Sequence, residues 1–362
     1  MRRRCVAAIT AAALPLCAGA QEPSADFPRY CQALRLYADG RIELAVATVH
    51  AWPVGELRGL MQQTVRCTGV GSTAAHAVLL ATEVAIAHRQ GPVQRVADYL
   101  GLAAGALGGV QPANLGAVDP GVVRSFQEDW FVVASRLLLA WTDPIAATTV
   151  IDRGLSAFKD SSRLRTLSGM ATEMRAHLSN PNLHDRRVID NMARDPQRTS
   201  LVIAENEYQH ALKADETNTE ARVHLGRVLF LRKEMTAARE LFAVVTKDSS
   251  QPARWRYLAQ LFAGAIDEFD HDWASAGQHY RAACSLLPMQ QTPYIALSFA
   301  ERAAGRERQA REVMAEWADL PSTDEDDPWS GYQNGAFDQE ALAALRGRSA
   351  TIATKVTARI MI

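Results

Sequence analysis

The stretch that decides the fold runs from Thr219 to Ser250, TEARVHLGRVLFLRKEMTAARELFAVVTKDSS. Apolar residues recur there at intervals of three and four on both sides of a short polar break, which is the pattern of two amphipathic helices. The second helix carries Ala238, Phe242 and Val245, and an equivalent set stands 34 positions before it: Ala204, Tyr208 and Ala211. A recurrence of fixed period predicts stacked copies of one helix pair.

The recurrence continues toward the C-terminus. Ala310 follows Ala276 by 34 positions, and a large residue, a leucine, a small residue and an aromatic stand in first-helix order at Trp255, Leu258, Ala259 and Phe262. With these marks, residues 199–317 resemble the tetratricopeptide repeat (TPR) family, and the whole chain resembles exported bacterial proteins of that family. Glu301 departs from the family pattern, in which an aromatic is usual. The resemblance implies an all-α superhelix, a TPR-like solenoid.

The spacing within one repeat differs from that of its neighbours. The interval from Phe262 to Ala276 is 14 residues, against 9 from Leu229 to Ala238. We therefore expect five extra residues between the two helices of this repeat, in the segment AIDEFDHD at 265–272.

The chain divides into six predicted segments. We expect a signal peptide at 1–20, a divergent helical-repeat region at 21–178, a loop or hinge at 179–198 and TPR-like repeats at 199–318. A tail that Trp329 and Tyr332 dock onto the last helices, with a C-terminal capping helix, follows at 319–349. Residues 350–362 lack a helical pattern and are expected to be a disordered tail. A cap is expected because the last repeat of an array would otherwise expose its apolar face.

The first twenty residues have the features of a secretory leader: three arginines, an apolar run and the small residues Ala18-Gly19-Ala20. We therefore expect a secreted or periplasmic protein of the cell envelope. Removal of the leader would change the net charge from −1 to −4, with 36 basic against 40 acidic residues. A mildly acidic chain with no basic tract argues against nucleic acid as a partner, and no later apolar run has the length of about 20 residues that a spanning helix needs.

Three cysteines follow the leader: Cys31, Cys67 and Cys284. Export would permit a disulfide, and Cys31 with Cys67 is the plausible pair because both fall in the first helices. The alternative is that both are buried free thiols. We expect Cys284 to be an inert core residue, since the spacing of the cysteines fits no metal or redox motif.

Motifs for catalysis or metal binding are weak. Carboxylates and imidazoles cluster at Asp267, Glu268, Asp270, His271, Asp272 and His279, but the cluster lacks the glycine and the final glutamate of a calcium loop. No pair of histidines has the spacing of a zinc motif. No nucleophile has a recognisable base near it. We expect no enzyme activity, no cofactor and no metal.

The remaining candidate is a surface. In the TPR family the first helix of each repeat lines the concave face, and the resemblance implies that this face carries Arg227, Phe230, Arg256, Gln260, Phe299 and Arg302. Arginine and aromatic side chains contribute much of the energy of interfaces, although these arginines could equally be solubilising charges. We predict a scaffold that binds a protein or peptide partner, with self-association also open. The alternatives are an enzyme or enzyme subunit with a site in the divergent N-terminal half, and a passive structural protein.

Overall fold

The computed structural model describes residues 25–67, 74–91, 93–108, 110, 118–179, 196–321, 323, 326–334 and 339–360. The predicted signal peptide lies outside the described residues, and so does most of the predicted hinge at 179–198. Across the described ranges all regular structure is helical. In that part of the chain, no helix combines the length and the apolar character needed to cross a membrane.

The N-terminal half holds eight of the described α-helices. They are α1 (Phe27–Ala38), α2 (Ile42–Val49), α3 (Val54–Met61), α4 (Ala74–Ala87), α5 (Val93–Leu107), α6 (Pro120–Ala140), α7 (Pro144–Ala157) and α8 (Ser162–Ser179). A disulfide joins Cys31 in α1 to Cys67, with the Cα atoms 5.3 Å apart. Of the two alternatives for these cysteines, the structure therefore has the bridge.

The C-terminal half holds the other nine described helices. They are α9 (Pro196–Ala214), α10 (Thr219–Leu231), α11 (Met235–Lys247), α12 (Ala253–Phe269), α13 (Trp273–Leu286), α14 (Thr292–Ala303), α15 (Glu307–Ala318), α16 (Pro328–Asn334) and α17 (Gln339–Ile360).

The helices pack as successive pairs, each against the next: α1 with α2, α4 with α5, and so on to α14 with α15. The first helices of neighbouring pairs also contact one another, as α6 does α8, α8 does α10 and α10 does α12. From α6 to α12 these first helices are in closer contact than the second helices, so they form the inner, concave layer of the stack. We call the exposed side of this layer the inner face. The architecture is a TPR-like all-α solenoid, as the sequence predicts.

Glycines set the distance between the helices of a pair. A Cβ on Gly226 of α10 would lie 2.6 Å from the ring of Phe242 in α11, and one on Gly264 of α12 would lie 2.4 Å from Tyr280 in α13. Gly169 of α8 lies against Tyr208 of α9 in the same way. A hydrogen atom at these positions lets the aromatic ring fit against the facing backbone.

The two close contacts fix the register and correct one prediction. The ring follows the glycine by 16 positions in both pairs, from Gly226 to Phe242 and from Gly264 to Tyr280. The prediction of five extra residues between α12 and α13 is therefore wrong, and the added length lies before Gly264. The apolar pattern aligns Phe262 with Leu229, which is more than one helical turn too late in the repeat. Apolar spacing alone does not show where the glycine meets the ring.

The course of α17 corrects two further predictions. The helix continues to Ile360, through most of the segment expected to be a disordered tail. Leu342, Leu345, Ser349 and Ile352 are all buried, and their spacing of three and four places them on one stripe. This packing outweighs the low helix propensity of the β-branched residues. The helix packs on α4 and α6 in the N-terminal half, and not over the last repeat as a cap would.

Candidate functional site

The inner face carries the C-terminal part of the chain. Helix α16 packs against α12 and α6, and α17 packs against α6 and α4. All of these partners are first helices of their pairs. We call residues 326–334 and 339–352 the tail segment; it lies on the surface where a solenoid of this type would hold a ligand.

Two aromatic side chains anchor α16. The ring of Tyr332 is buried and stacks on His224 of α10, with the ring centroids 4.5 Å apart. The guanidinium of Arg227 lies 5.1 Å from the centroid of the same tyrosine ring. Trp329 and Tyr332 both contact Phe262 of α12, each at 5.1 Å between centroids. Stacking and cation–π contacts of this kind fix the position of a docked segment.

A carboxylate fixes the start of α16. Asp327 accepts a hydrogen bond from the Tyr257 hydroxyl of α12 at 2.8 Å and a longer one from the Thr292 amide of α14 at 3.3 Å. It also accepts from the Trp329 amide at 2.9 Å, which caps its own helix. Burial and the charge of Asp327 raise the pKa of Tyr257, so this phenol remains a donor.

Beneath Tyr332 lies a buried charged network. The carboxylate of Glu173, on α8, accepts a hydrogen bond from Tyr208 at 2.8 Å, lies 3.2 Å from Nδ1 of His224 and pairs with Arg227. Burial raises the pKa of Glu173, but the charge of Arg227 and the hydrogen bonds from His224 and Tyr208 outweigh burial and lower it to about 2. The network joins three helices and presents the rings of its members to the tail segment.

The contacts of α17 are different in kind. Arg346 donates from Nε to the Glu83 carboxylate of α4 at 2.7 Å, and Tyr37 donates to the same oxygen at 3.5 Å. Arg348 pairs with Asp129 of α6, which Arg163 also contacts at 2.7 Å. Two buried acidic side chains, one on α4 and one on α6, are thus paired with two arginines of the tail segment.

The structure does not bring the six predicted site residues together. Arg227 lies in the buried network, and Phe230 is half-buried with its ring perpendicular to that of Phe269. Arg256 is half-buried near the start of α12. Gln260 faces the second helix of its pair, where its Oε1 lies 2.5 Å from Nδ1 of His279.

Phe299 and Arg302 lie on exposed positions of α14. By the glycine register, Phe299 is the equivalent of Arg227. Ser298 stands in the place of the glycine and donates to the Ala310 carbonyl of α15 at 3.0 Å. Phe299 is 54% exposed, and its ring stands edge-on to Trp273 at 6.1 Å. Arg302 lies 3.8 Å from Glu307.

The acidic cluster at 267–272 is occupied by contacts within the chain. Asp267 and Asp270 each accept a hydrogen bond of 2.8 Å from Arg239, and Asp272 caps α13 by accepting from the Ser275 amide. Nδ1 of His279 faces Gln260, and its Nε2 lies 3.5 Å from Asp267. Within the described residues no group of three or more such side chains is arranged to hold a metal ion.

Sequence reasoning missed the residues that hold the tail segment. Glu83, Asp129 and Glu173 are acidic residues within helices, and their burial depends on partners far away in the chain. The one available signal was the aromatic pair Trp329 and Tyr332, for which the sequence predicted docking onto the last helices. Tyr332 in fact reaches α10, two repeats earlier.

Comparison with known proteins yields only distant similarity. No family model matches the chain, and no curated protein matches it. Among solved structures, PilF of Pseudomonas aeruginosa aligns at 14% identity and a TM-score of 0.45, covering 63% of this chain and 90% of PilF. PilW, titled a type IV pilus biogenesis factor, aligns at 14% identity and a TM-score of 0.44. The alignment covers 68% of this chain and 95% of PilW. MamA from Desulfovibrio magneticus aligns at 17% identity and a TM-score of 0.39. The alignment covers 53% of this chain and 94% of the MamA chain.

Proposed function

We propose that this chain is an exported scaffold that binds a segment of a partner protein on the inner face of its solenoid. The observation that carries the proposal is the tail segment itself. The inner face holds it by ring stacking, hydrogen bonds and ion pairs, which are the interactions that bind peptides to proteins. The surface therefore has the chemistry of a peptide-binding face.

Part of the inner face is available at the C-terminal end of the stack. Phe299 and Ile295, one helical turn apart on α14, are 54% and 50% exposed. The half-buried Trp273 stands beside them, and the exposed Arg302 extends the same side of the helix. Large apolar side chains that remain exposed next to an arginine are typical of protein contact sites.

The proposed export rests on two features. One is the leader-like composition of the first twenty residues, and the other is the disulfide between Cys31 and Cys67. Structural disulfides persist in oxidising compartments and are rare in reducing ones. The proposed location is the cell envelope or the exterior.

Site-specific photo-crosslinking in the producing cell tests the function. A benzophenone amino acid replaces Phe299 in the full chain, and the matched control carries it at Ile145, which is 72% exposed on the second helix α7. We expect discrete adducts with a partner protein from position 299 and none of these from position 145. Equal adducts from both positions, or none from position 299, would contradict the proposal.

A further inference from the structure

Helix α17 defines a docking surface on α4 and α6. Its buried stripe of Leu342, Leu345 and Ile352 packs in this contact, so apolar burial supplies much of the attraction. The arginines at 346 and 348 lie beside this stripe and reach Glu83 and Asp129. The surface thus contacts two features of a helix: an apolar stripe and a pair of basic residues two positions apart.

The two acidic side chains impose a requirement on any occupant. Glu83 and Asp129 are only 6% and 9% exposed as side chains, and a buried carboxylate is costly unless it is paired. Within the solenoid, Glu83 has the neutral Tyr37 as a neighbour, and Asp129 has Arg163, whose positive charge is shared with Glu128 at 3.4 Å. An occupant with basic residues at the right spacing completes the pairing, and an acidic occupant adds like charge.

We propose that this surface is a binding site for an amphipathic helix of a partner protein that carries two basic residues beside an apolar stripe, and that α17 occupies the site in cis until such a helix displaces it. The inference rests on the proposed function and names the chemistry of its partner. A tethered helix has an effective concentration on the order of millimolar. The displacing helix must therefore bind more tightly than α17 or be present at a high local concentration.

The test uses the full chain and a defined probe. The probe is a fluorescein-labelled synthetic peptide with the sequence of residues 339–352, QEALAALRGRSATI, and its matched control has glutamate in place of both arginines. Binding is followed by fluorescence anisotropy. The proteins are the wild type and the tail variant Leu345→Glu, which keeps every residue of the surface. Arg308→Glu, on an exposed side chain of α15, is the control variant.

We expect the probe to bind Leu345→Glu at least about tenfold more tightly than the wild type. The reason is that loss of one buried leucine raises the open fraction of the surface by about that factor. Arg308→Glu should bind as the wild type does. The charge-reversed peptide should bind Leu345→Glu at least about tenfold more weakly than the probe, because it brings like charge to Glu83 and Asp129.

Three results would overturn the inference. Equal affinity of the probe for the wild type and Leu345→Glu would mean that α17 does not compete for the site. Equal affinity of the two peptides would mean that the basic residues do not contribute to recognition. If the probe does not bind a Leu345→Glu chain that has native circular dichroism, the surface is not a binding site for such a helix. If that variant does not fold, Arg346→Glu, which keeps the apolar stripe, takes its place. The crosslinks at position 299 report on a different part of the inner face, so the proposed function stands or fails separately.

Discussion

Replacing Glu173 by glutamine removes the one negative charge of the buried network and keeps the shape of the side chain. Arg227 then stays buried without its counter-charge, which is strongly destabilising in protein interiors. The lowering of the Glu173 pKa from 4.5 to about 2 corresponds to about 3 kcal/mol of stabilisation by the charged form. We expect the free energy of unfolding at pH 7 to fall by about 3 kcal/mol, measured by urea denaturation with circular dichroism at 222 nm.

The loss of stability caused by Glu173→Gln should depend on pH. The pKa of Glu173 is lower in the folded chain than in the unfolded one, so its stabilisation is complete above about pH 5 and is lost as the pH falls toward 2. The difference between wild type and Glu173→Gln should therefore be constant from pH 7 to pH 5. It should narrow by about 1 kcal/mol by pH 3.5.

An exposed ion pair provides the matched control. Glu312 lies 3.6 Å from Arg308 on α15, and both side chains are exposed. Glu312→Gln should change the unfolding free energy by less than about 0.5 kcal/mol, since exposed pairs contribute little. The reasoning would be refuted if Glu173→Gln cost no more than Glu312→Gln at pH 7, or if its effect did not change between pH 5 and pH 3.5.

The remaining predictions concern packing and thiols. Gly264→Ala places a Cβ 2.4 Å from the Tyr280 ring and should destabilise by about 1–3 kcal/mol in the same denaturation assay, whereas Gly105→Ala on α5 has open space and should be neutral or stabilising; equal effects would contradict the register. Replacing Cys31 and Cys67 together by alanine should cost about 3–4 kcal/mol, because the bridge closes a loop across 36 positions; an unchanged urea midpoint would argue against it. Burial raises the pKa of Cys284 to about 12, so iodoacetamide at pH 8 should alkylate it only after unfolding; alkylation of the folded chain at the rate of a free thiol would show that the residue is accessible.

Local patterns in the sequence predict much of the helical structure. The 34-residue recurrence predicts the helix pairs of the C-terminal half, and Asp143 caps α7 by accepting from the Ala146 amide, as its place before Pro144 indicates. Such features depend on neighbours within a few positions, so they can be recognised in one sequence.

What the sequence did not predict depends on distant partners. Arg346 and Glu83 are 263 positions apart, and the pairing of Glu173 with Arg227 spans 54. No period or cap encodes such a contact, because it forms only when the stacked helices create a common face. The register of α12 cannot be predicted from apolar spacing for a related reason: it depends on the contact between the ring of Tyr280 and Gly264.

The inner face of this solenoid holds a helix, and photo-leucine crosslinking tests that docking most directly because the label is nearly isosteric with leucine. The full chain is labelled throughout, purified as a monomer, irradiated and digested, and its crosslinked peptides are identified by mass spectrometry. We predict links from the peptide containing Leu342 and Leu345 to peptides of α4 and α6. Links from that peptide only to α14 and α15, where a capping helix would lie, would contradict the claim.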